Sequence, residues 1–293
     1  MNIKLLPLAA ALCCAGFALT ATPIPDTCLT GGIALGCQAW TFKEYSVLEA
    51  IDKTAAAGGK VIEFFPGQKL SAEKPDLKFD HNATEEMITT VKARLEKDGI
   101  RAVNYGVVSI PKEEADARKI FEFAKKFELY GITTESVDSI DTIEKLVKEY
   151  DIHVGFHNHP RRPNDAKYKM WDPNYVLSIV KDRDARIGSC SDVGHWVRSG
   201  LNPVDCLKLL EGRIISAHLK DLNEQSSKAH DVPFGKGISD MAGILTELKR
   251  QKFAGNASIE YEYNWKDSVT DVAQCVGFVR GITETAHAAN SSR

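Results

Sequence analysis

The chain has 293 residues, 43% of them hydrophobic and 26% charged, with a formal net charge of -3. That apolar content excludes an extended disordered chain, and charges of both signs dispersed along the sequence exclude the basic face that nucleic acid or anionic lipid requires. The opening "MNIKLLPLAAALCCAGFALTATPIPDT" sets Lys4 ahead of an apolar run from Leu5 to Leu19, with small residues at Ala18 and Ala21. This predicts a signal peptide over 1–21 and an exported protein, periplasmic or secreted, whose mature part is 22–293. A lipoprotein signal ending at Cys13 or Cys14 fits less well, because Leu12 stands where a small residue is expected. No later apolar run is long enough to span a membrane. Five cysteines follow the leader, with no CxxC pair among them, so neither a zinc ribbon nor a disulfide scaffold is indicated. A single bridge is open, with Cys28 and Cys37 the nearest pair in sequence.

From residue 33 onward, short apolar runs alternate with longer amphipathic ones. The expected strands are 33–40, 60–65, 100–108, 131–136, 152–159, 185–192, 213–221 and 256–263. Between them "TEEMITTVKARLEKDG", "KEEADARKIFEFAKKFELYG", "SIDTIEKLVKEYD", "DPNYVLSIVKD", "NPVDCLKLLEG" and "SDMAGILTELKRQ" carry apolar residues at helical spacing. Several of these stretches open near Asp, Ser, Thr or Asn and close on Gly or a basic residue. Strands that alternate with helices must be parallel, since a helix returns the chain to the same edge. Eight such units, with no Gly-rich nucleotide loop after the first, predict an α/β fold consisting of a single (β/α)8 TIM barrel.

A barrel of this kind keeps its chemistry at the carboxyl ends of its strands, and polar residues gather there. In order they are Gln38 and Trp40; Glu63; Asn104 and Tyr105; Glu135; His157, Asn158 and His159; Asp192 and His195; His218, Lys220 and Asp221; Glu260 and Glu262. Carboxylates and imidazoles crowded into a barrel mouth need a cation. Asp192, His218 and Glu260, on three successive strands, are the expected ligands of one divalent ion (Mn, Mg, Co or Zn), with His157 or Glu135 as the fourth. Each has a plainer alternative: a strand-end Asp often caps a helix, "HNHP" reads equally as a turn, and Glu63 could pair with a lysine.

"SDVGHW", "ISAHLKD" and "SIEYEY" at these intervals resemble the xylose isomerase-like barrel superfamily. That superfamily is the sugar phosphate isomerase/epimerase group, with its hydroxypyruvate isomerases, ketose 3-epimerases and inosose dehydratases. The resemblance covers nearly the whole mature chain. It implies metal ligation by Asp192, His218 and Glu260, substrate contact by His195, and a basic neighbour for the substrate in Lys220. The chain departs from the epimerase pattern at His157, where those enzymes carry a glutamate that is both ligand and acid/base group. Glu135, one strand earlier, is the residue that could restore a carboxylate.

The expected activity is that of an exported isomerase or epimerase acting on a carbohydrate, by removal of a proton next to a carbonyl and stabilisation of the resulting enediolate by metal. His157 or His159 is the expected base, with Glu260 as its partner in proton transfer. Trp40, Glu63, Tyr105, Asn158, His195 and Lys220 are expected to bind substrate. The only partner implied is a small carbohydrate, with no nucleic acid and no membrane span; self-association is left open. Two other readings stand beside this one. The same enolisation could drive β-elimination from a 3-keto-glycoside, making the protein a lyase or deglycosidase. A barrel without metal could simply bind sugar, using Trp40, Trp171, Trp196 or Trp265 as stacking surfaces.

Overall fold

The computed structural model describes residues 23–291, so the expected leader lies outside the described residues. The eight barrel strands are β1 (Ala34–Gln38), β2 (Val61–Phe64), β3 (Arg101–Tyr105), β4 (Gly131–Thr134), β5 (His153–His157), β6 (Ile187–Asp192), β7 (Ile214–Leu219) and β8 (Asn256–Ile259). All pair in parallel, each with its neighbour in sequence, and β8 pairs with β1 through Ala34 opposite Asn256 to close the barrel. Each strand lies inside its expected run and is shorter than it. The residues that overhang the carboxyl ends, such as Trp40, Glu135, Asn158, His159 and Glu262, belong to the mouth of the barrel and not to its wall.

The surrounding helices start and stop for local reasons. Ser46 and Glu49 form a reciprocal capping box at the start of Val47–Ala56, and Gly99 ends Glu85–Asp98 in the left-handed conformation, at φ 65°. Pro173 opens Pro173–Val180, where its missing N–H costs nothing. The apolar faces of these helices close over the outside of the barrel and form one large core.

The inside of the barrel is partly polar. Ser258 Oγ donates to Glu63 Oε2 at 2.8 Å, Thr133 Oγ1 donates to Glu63 Oε1 at 3.0 Å, and Asn256 links Ser258 to Asn104. Buried polar groups persist when each finds a partner, and this network forms a firm floor beneath the mouth.

Candidate metal centre

Four side chains converge above that floor. His157 ends β5, Asp192 ends β6, His218 lies on β7 and Glu260 follows β8, and their ligand atoms all lie within 4.8 Å of one another. Asp192 Oδ2 is 3.6 Å from His157 Nε2 and 3.8 Å from His218 Nδ1, while Glu260 Oε2 is 3.1 Å from His218 Nδ1. All four are buried. Among the described residues His157 Nε2, Asp192 Oδ2 and His218 Nδ1 have no hydrogen-bond partner of acceptable geometry, although the Lys220 ammonium stands 3.1 Å from Asp192 Oδ2. Such atoms are costly in a protein interior, and three of them facing one point are what a divalent cation would satisfy. Two imidazoles and two carboxylates are compatible with Mn, Mg, Co or Zn and do not select among them.

Neighbours fix how the four are presented. Asp192 is both things the sequence allowed: its Oδ1 caps the helix Val193–Arg198 by accepting from His195 N at 2.7 Å, while its Oδ2 turns to the cluster. Gly194 is needed because a Cβ there would stand 2.5 Å from Lys220 Cβ. His218 Nε2 meets Glu63 Oε2 at 3.1 Å, which leaves Nδ1 toward the centre. Burial opposes a charge on His157, but the Asp192 and Glu135 carboxylates beside it overcome this and raise its pKa to about 9. The cluster's field therefore favours positive charge.

Of the two residues open as fourth ligand, His157 lies in the cluster with Asp192, His218 and Glu260, and Glu135 does not. Glu135 stands behind that imidazole and grips two histidines: its Oε1 lies 3.3 Å from His157 Nδ1, 2.5 Å from His159 Nδ1 and 3.0 Å from the Tyr168 hydroxyl. Burial opposes its ionisation, yet the hydrogen bonds from His157 and His159 hold its carboxyl well below the usual range. An ionised Glu135 accepts Nδ1–H from both rings, so Nε2 is in each the nitrogen left to meet an ion or a substrate. With His157 Nε2 turned to the cluster and Nδ1 bonded to Glu135, His157 has no nitrogen free to act as a base. His159 lines the cavity and keeps its Nε2.

Several expected substrate contacts are placed elsewhere. Tyr105 is fully buried in the outer core against Phe123, with its hydroxyl on His81 Nδ1 at 3.1 Å, because the alternation along β3 turns it away from the barrel axis. Glu63 is enclosed by Ser258, Thr133 and His218, and pairs with no lysine. Asn158 clamps the backbone N–H and C=O of Asp192, at 2.9 Å each. Lys220 is wholly buried among Asp192, Glu260 and Glu262, at 3.1, 2.7 and 2.7 Å. Trp40 and His195 do line the cavity, but Trp196 belongs to the core.

That cavity encloses about 320 Å³ and has a lining of two kinds, apolar in Trp40, Phe65, Pro66 and Val107 and polar in Gln38, His157, His159, His195, Glu260 and Glu262. Glu262 was visible in the sequence as a strand-end acid, without an assigned part. Arg198, which holds it at 3.1 Å, went unnoticed. The signal for Arg198 was its helical spacing, three residues after His195 in "DVGHWVR". A larger hollow of about 720 Å³ lies at the opposite end of the barrel, where Arg186 is paired with Asp151 at 2.7 Å.

The model of the xylose isomerase-like TIM barrel family matches residues 51–280. The chain belongs to that family. No curated protein matches it. Among solved structures, this family member is similar to an uncharacterized protein from Parabacteroides distasonis ATCC 8503, at 31% identity and TM-score 0.68 over 85% of this chain and 99% of the other. It shares its fold with a D-tagatose 3-epimerase-like protein, at 17% identity and TM-score 0.67, covering 87% and 98% of the two chains. A D-allulose 3-epimerase from Methylomonas sp. follows at 14% identity and TM-score 0.66, covering 85% and 98%.

Proposed function

We propose that the protein is a divalent-metal-dependent sugar isomerase or epimerase that removes a proton from the carbon beside a carbonyl. The observation that carries this reading is the convergence of four buried ligand side chains, three of them with a ligand atom that makes no hydrogen bond, at one end of a cavity that also holds a free imidazole nitrogen. Likeness in fold to a D-tagatose 3-epimerase-like protein and to a D-allulose 3-epimerase supports it.

His157, Asp192, His218 and Glu260 would hold the ion. When bound, it supplies positive charge beside the substrate's carbonyl and hydroxyl oxygens, which acidifies the adjacent C–H. His159 Nε2 accepts that proton, with Glu135 holding the ring's tautomer and stabilising the imidazolium that forms. Glu262, anchored by Lys220 at 2.7 Å and Arg198 at 3.1 Å, offers a carboxylate in the same polar lining for substrate hydroxyls. The apolar lining of Trp40 and Phe65 suits the C–H face of a sugar ring and keeps water from the reacting carbon. Replacement of the usual β5 glutamate by His157 removes one acid/base carboxylate, and the Glu135–His159 pair takes its place.

Export, which the leader pattern favours, points to a free carbohydrate as substrate and not a phosphorylated one. The test is elemental analysis of purified protein beside the Asp192→Ala/His218→Ala variant, followed by incubation of each with a panel of ketoses and aldoses in D2O. The expected result is about one equivalent of divalent metal in the wild type only, with deuterium entering next to the carbonyl of at least one sugar. Wild-type protein that stays metal-free after exposure to Mn²⁺ and Zn²⁺ would remove the reading in favour of a sugar-binding barrel. Release of an aglycone from a 3-keto-glycoside would redirect the same chemistry to elimination.

A further inference from the structure

His195 lines the cavity, and two cations approach its ring from different sides. Arg198 Nη1 stands 3.1 Å from Nδ1, and Lys220 Nζ stands 3.5 Å from Nε2. A neutral imidazole has one donor and one acceptor, so only one of these contacts can be a hydrogen bond from the cation to the ring.

The geometry decides which. A guanidinium cannot accept a hydrogen bond, and Arg198 has no freedom to withdraw: its other contacts are Glu262 Oε2 at 3.1 Å, Asp231 Oδ2 at 3.1 Å and the Ala229 carbonyl at 3.3 Å. The Lys220 ammonium has nearer claims at 2.7 Å from Glu260, 2.7 Å from Glu262 and 3.1 Å from Asp192, so its long contact with His195 does not compete. His195 Nδ1 must therefore be the acceptor, and the ring's hydrogen sits on Nε2.

We infer that Arg198 is a positioning residue that locks His195 as the Nε2–H tautomer, so that His195 meets the substrate as a neutral hydrogen-bond donor and not as a base. The inference rests on the enolisation reading above and divides the work between two histidines of the same cavity. Glu135, an anion, fixes His159 with its Nε2 lone pair free to take a proton. Arg198, a cation, fixes His195 in the opposite tautomer, with Nε2–H available to the oxygen on which negative charge develops. The two rings stack at 5.2 Å between centroids, so one sugar would meet both. Two cations, at 3.1 Å from Nδ1 and 3.5 Å from Nε2, disfavour a further positive charge on the ring.

The test is long-range ¹H–¹⁵N NMR on the full chain, ¹⁵N-labelled at histidine and loaded with Zn²⁺, with the His195 signals identified by their loss in His195→Gln. Wild type is expected to show the hydrogen on Nε2, and Arg198→Met to lose that preference. In parallel, Arg198→Met should lower kcat for the best sugar by about 10- to 100-fold with little change in KM. A wild-type ring carrying its hydrogen on Nδ1, or protonated on both nitrogens at neutral pH, would overturn the inference; so would an unchanged tautomer in folded Arg198→Met. Should Arg198→Met fail to fold, the wild-type spectrum decides alone. If the tautomer is as inferred but no sugar exchanges deuterium, the enolisation reading fails and the assignment of the ring stands.

Discussion

At the scale of single residues, Glu135 is the side chain whose part differs most from what the sequence led one to expect. A carboxylate at the end of β4 was a natural candidate for the ion, and its distance to the cluster is short enough to keep that idea alive until the ring of His157 is placed between them. Its removal should therefore act through two histidines at once. Glu135→Gln, which can still accept one hydrogen bond but carries no charge, is expected to weaken metal affinity or turnover by about 10- to 100-fold. His159→Gln should abolish most deuterium exchange, by about 10²- to 10⁴-fold, with metal content unchanged. Metal titration beside exchange kinetics separates the two, and equal metal loss in both variants would contradict the division between a base and the carboxylate that orients it. The convergence itself was legible, because Asp192, His218 and Glu260 lie at or near the carboxyl ends of successive strands. Tyr105 is placed in the outer core because a strand end says nothing of which way a side chain faces, whereas Glu63 does face the barrel axis and is taken up by the polar floor beneath the mouth.

At the scale of elements, the order of strands and helices could be read from periodicity alone, since eight apolar runs separated by amphipathic stretches leave few parallel topologies. What could not be read was the length of each strand. Apolar residues continue past the last ladder hydrogen bond where the mouth needs lining, as in Trp40 and Val107. The amino-terminal ends show a different economy, in which charge secures structure and not chemistry. Asp184, just before β6, accepts from Arg186 at its side chain and backbone, and the guanidinium pulls its pKa from 3.8 to about 2. A carboxyl whose pKa is lower in the folded chain than in the unfolded one stabilises the fold above about pH 4. That contribution drains away as pH falls toward 2. Asp184→Asn should cost about 1 to 2 kcal/mol at pH 7, after allowing for solvent around the pair, and progressively less below pH 4. Urea denaturation at pH 7 and pH 3 measures it, and a cost that does not shrink in acid would show that the Asp184 turn matters for its shape and not its charge.

At the scale of the whole molecule, the barrel separates two kinds of stability. A layer of aromatic side chains, Phe64, Phe79, Phe123 and Phe127, packs edge to face outside the wall at 5.1 to 5.7 Å between centroids. Polar pairs inside the wall support the site. No disulfide joins the described residues: Cys28, Cys37, Cys190, Cys206 and Cys275 are free thiols, and the Cys28–Cys37 bridge that the spacing allowed is not formed. Cys37 lies on β1 inside the packed core, where burial pushes its thiol up to about 12, and Cys28 sits in the short turn before the barrel with partial exposure. Burial also pushes the thiol of Cys206 up to about 12, and it raises that of Cys275. A thiol reagent attacks the thiolate, and these neutral, enclosed sulfurs offer it almost none. For the chain without residues 1–21, native protein should therefore react quickly at no more than one cysteine, Cys28, and at all five after denaturation. Reductant should leave the melting temperature unchanged. Fewer than five thiols in denaturant, or a melting temperature that falls on reduction, would mean that an oxidising compartment installs a bridge and that the barrel uses a constraint beyond its packing.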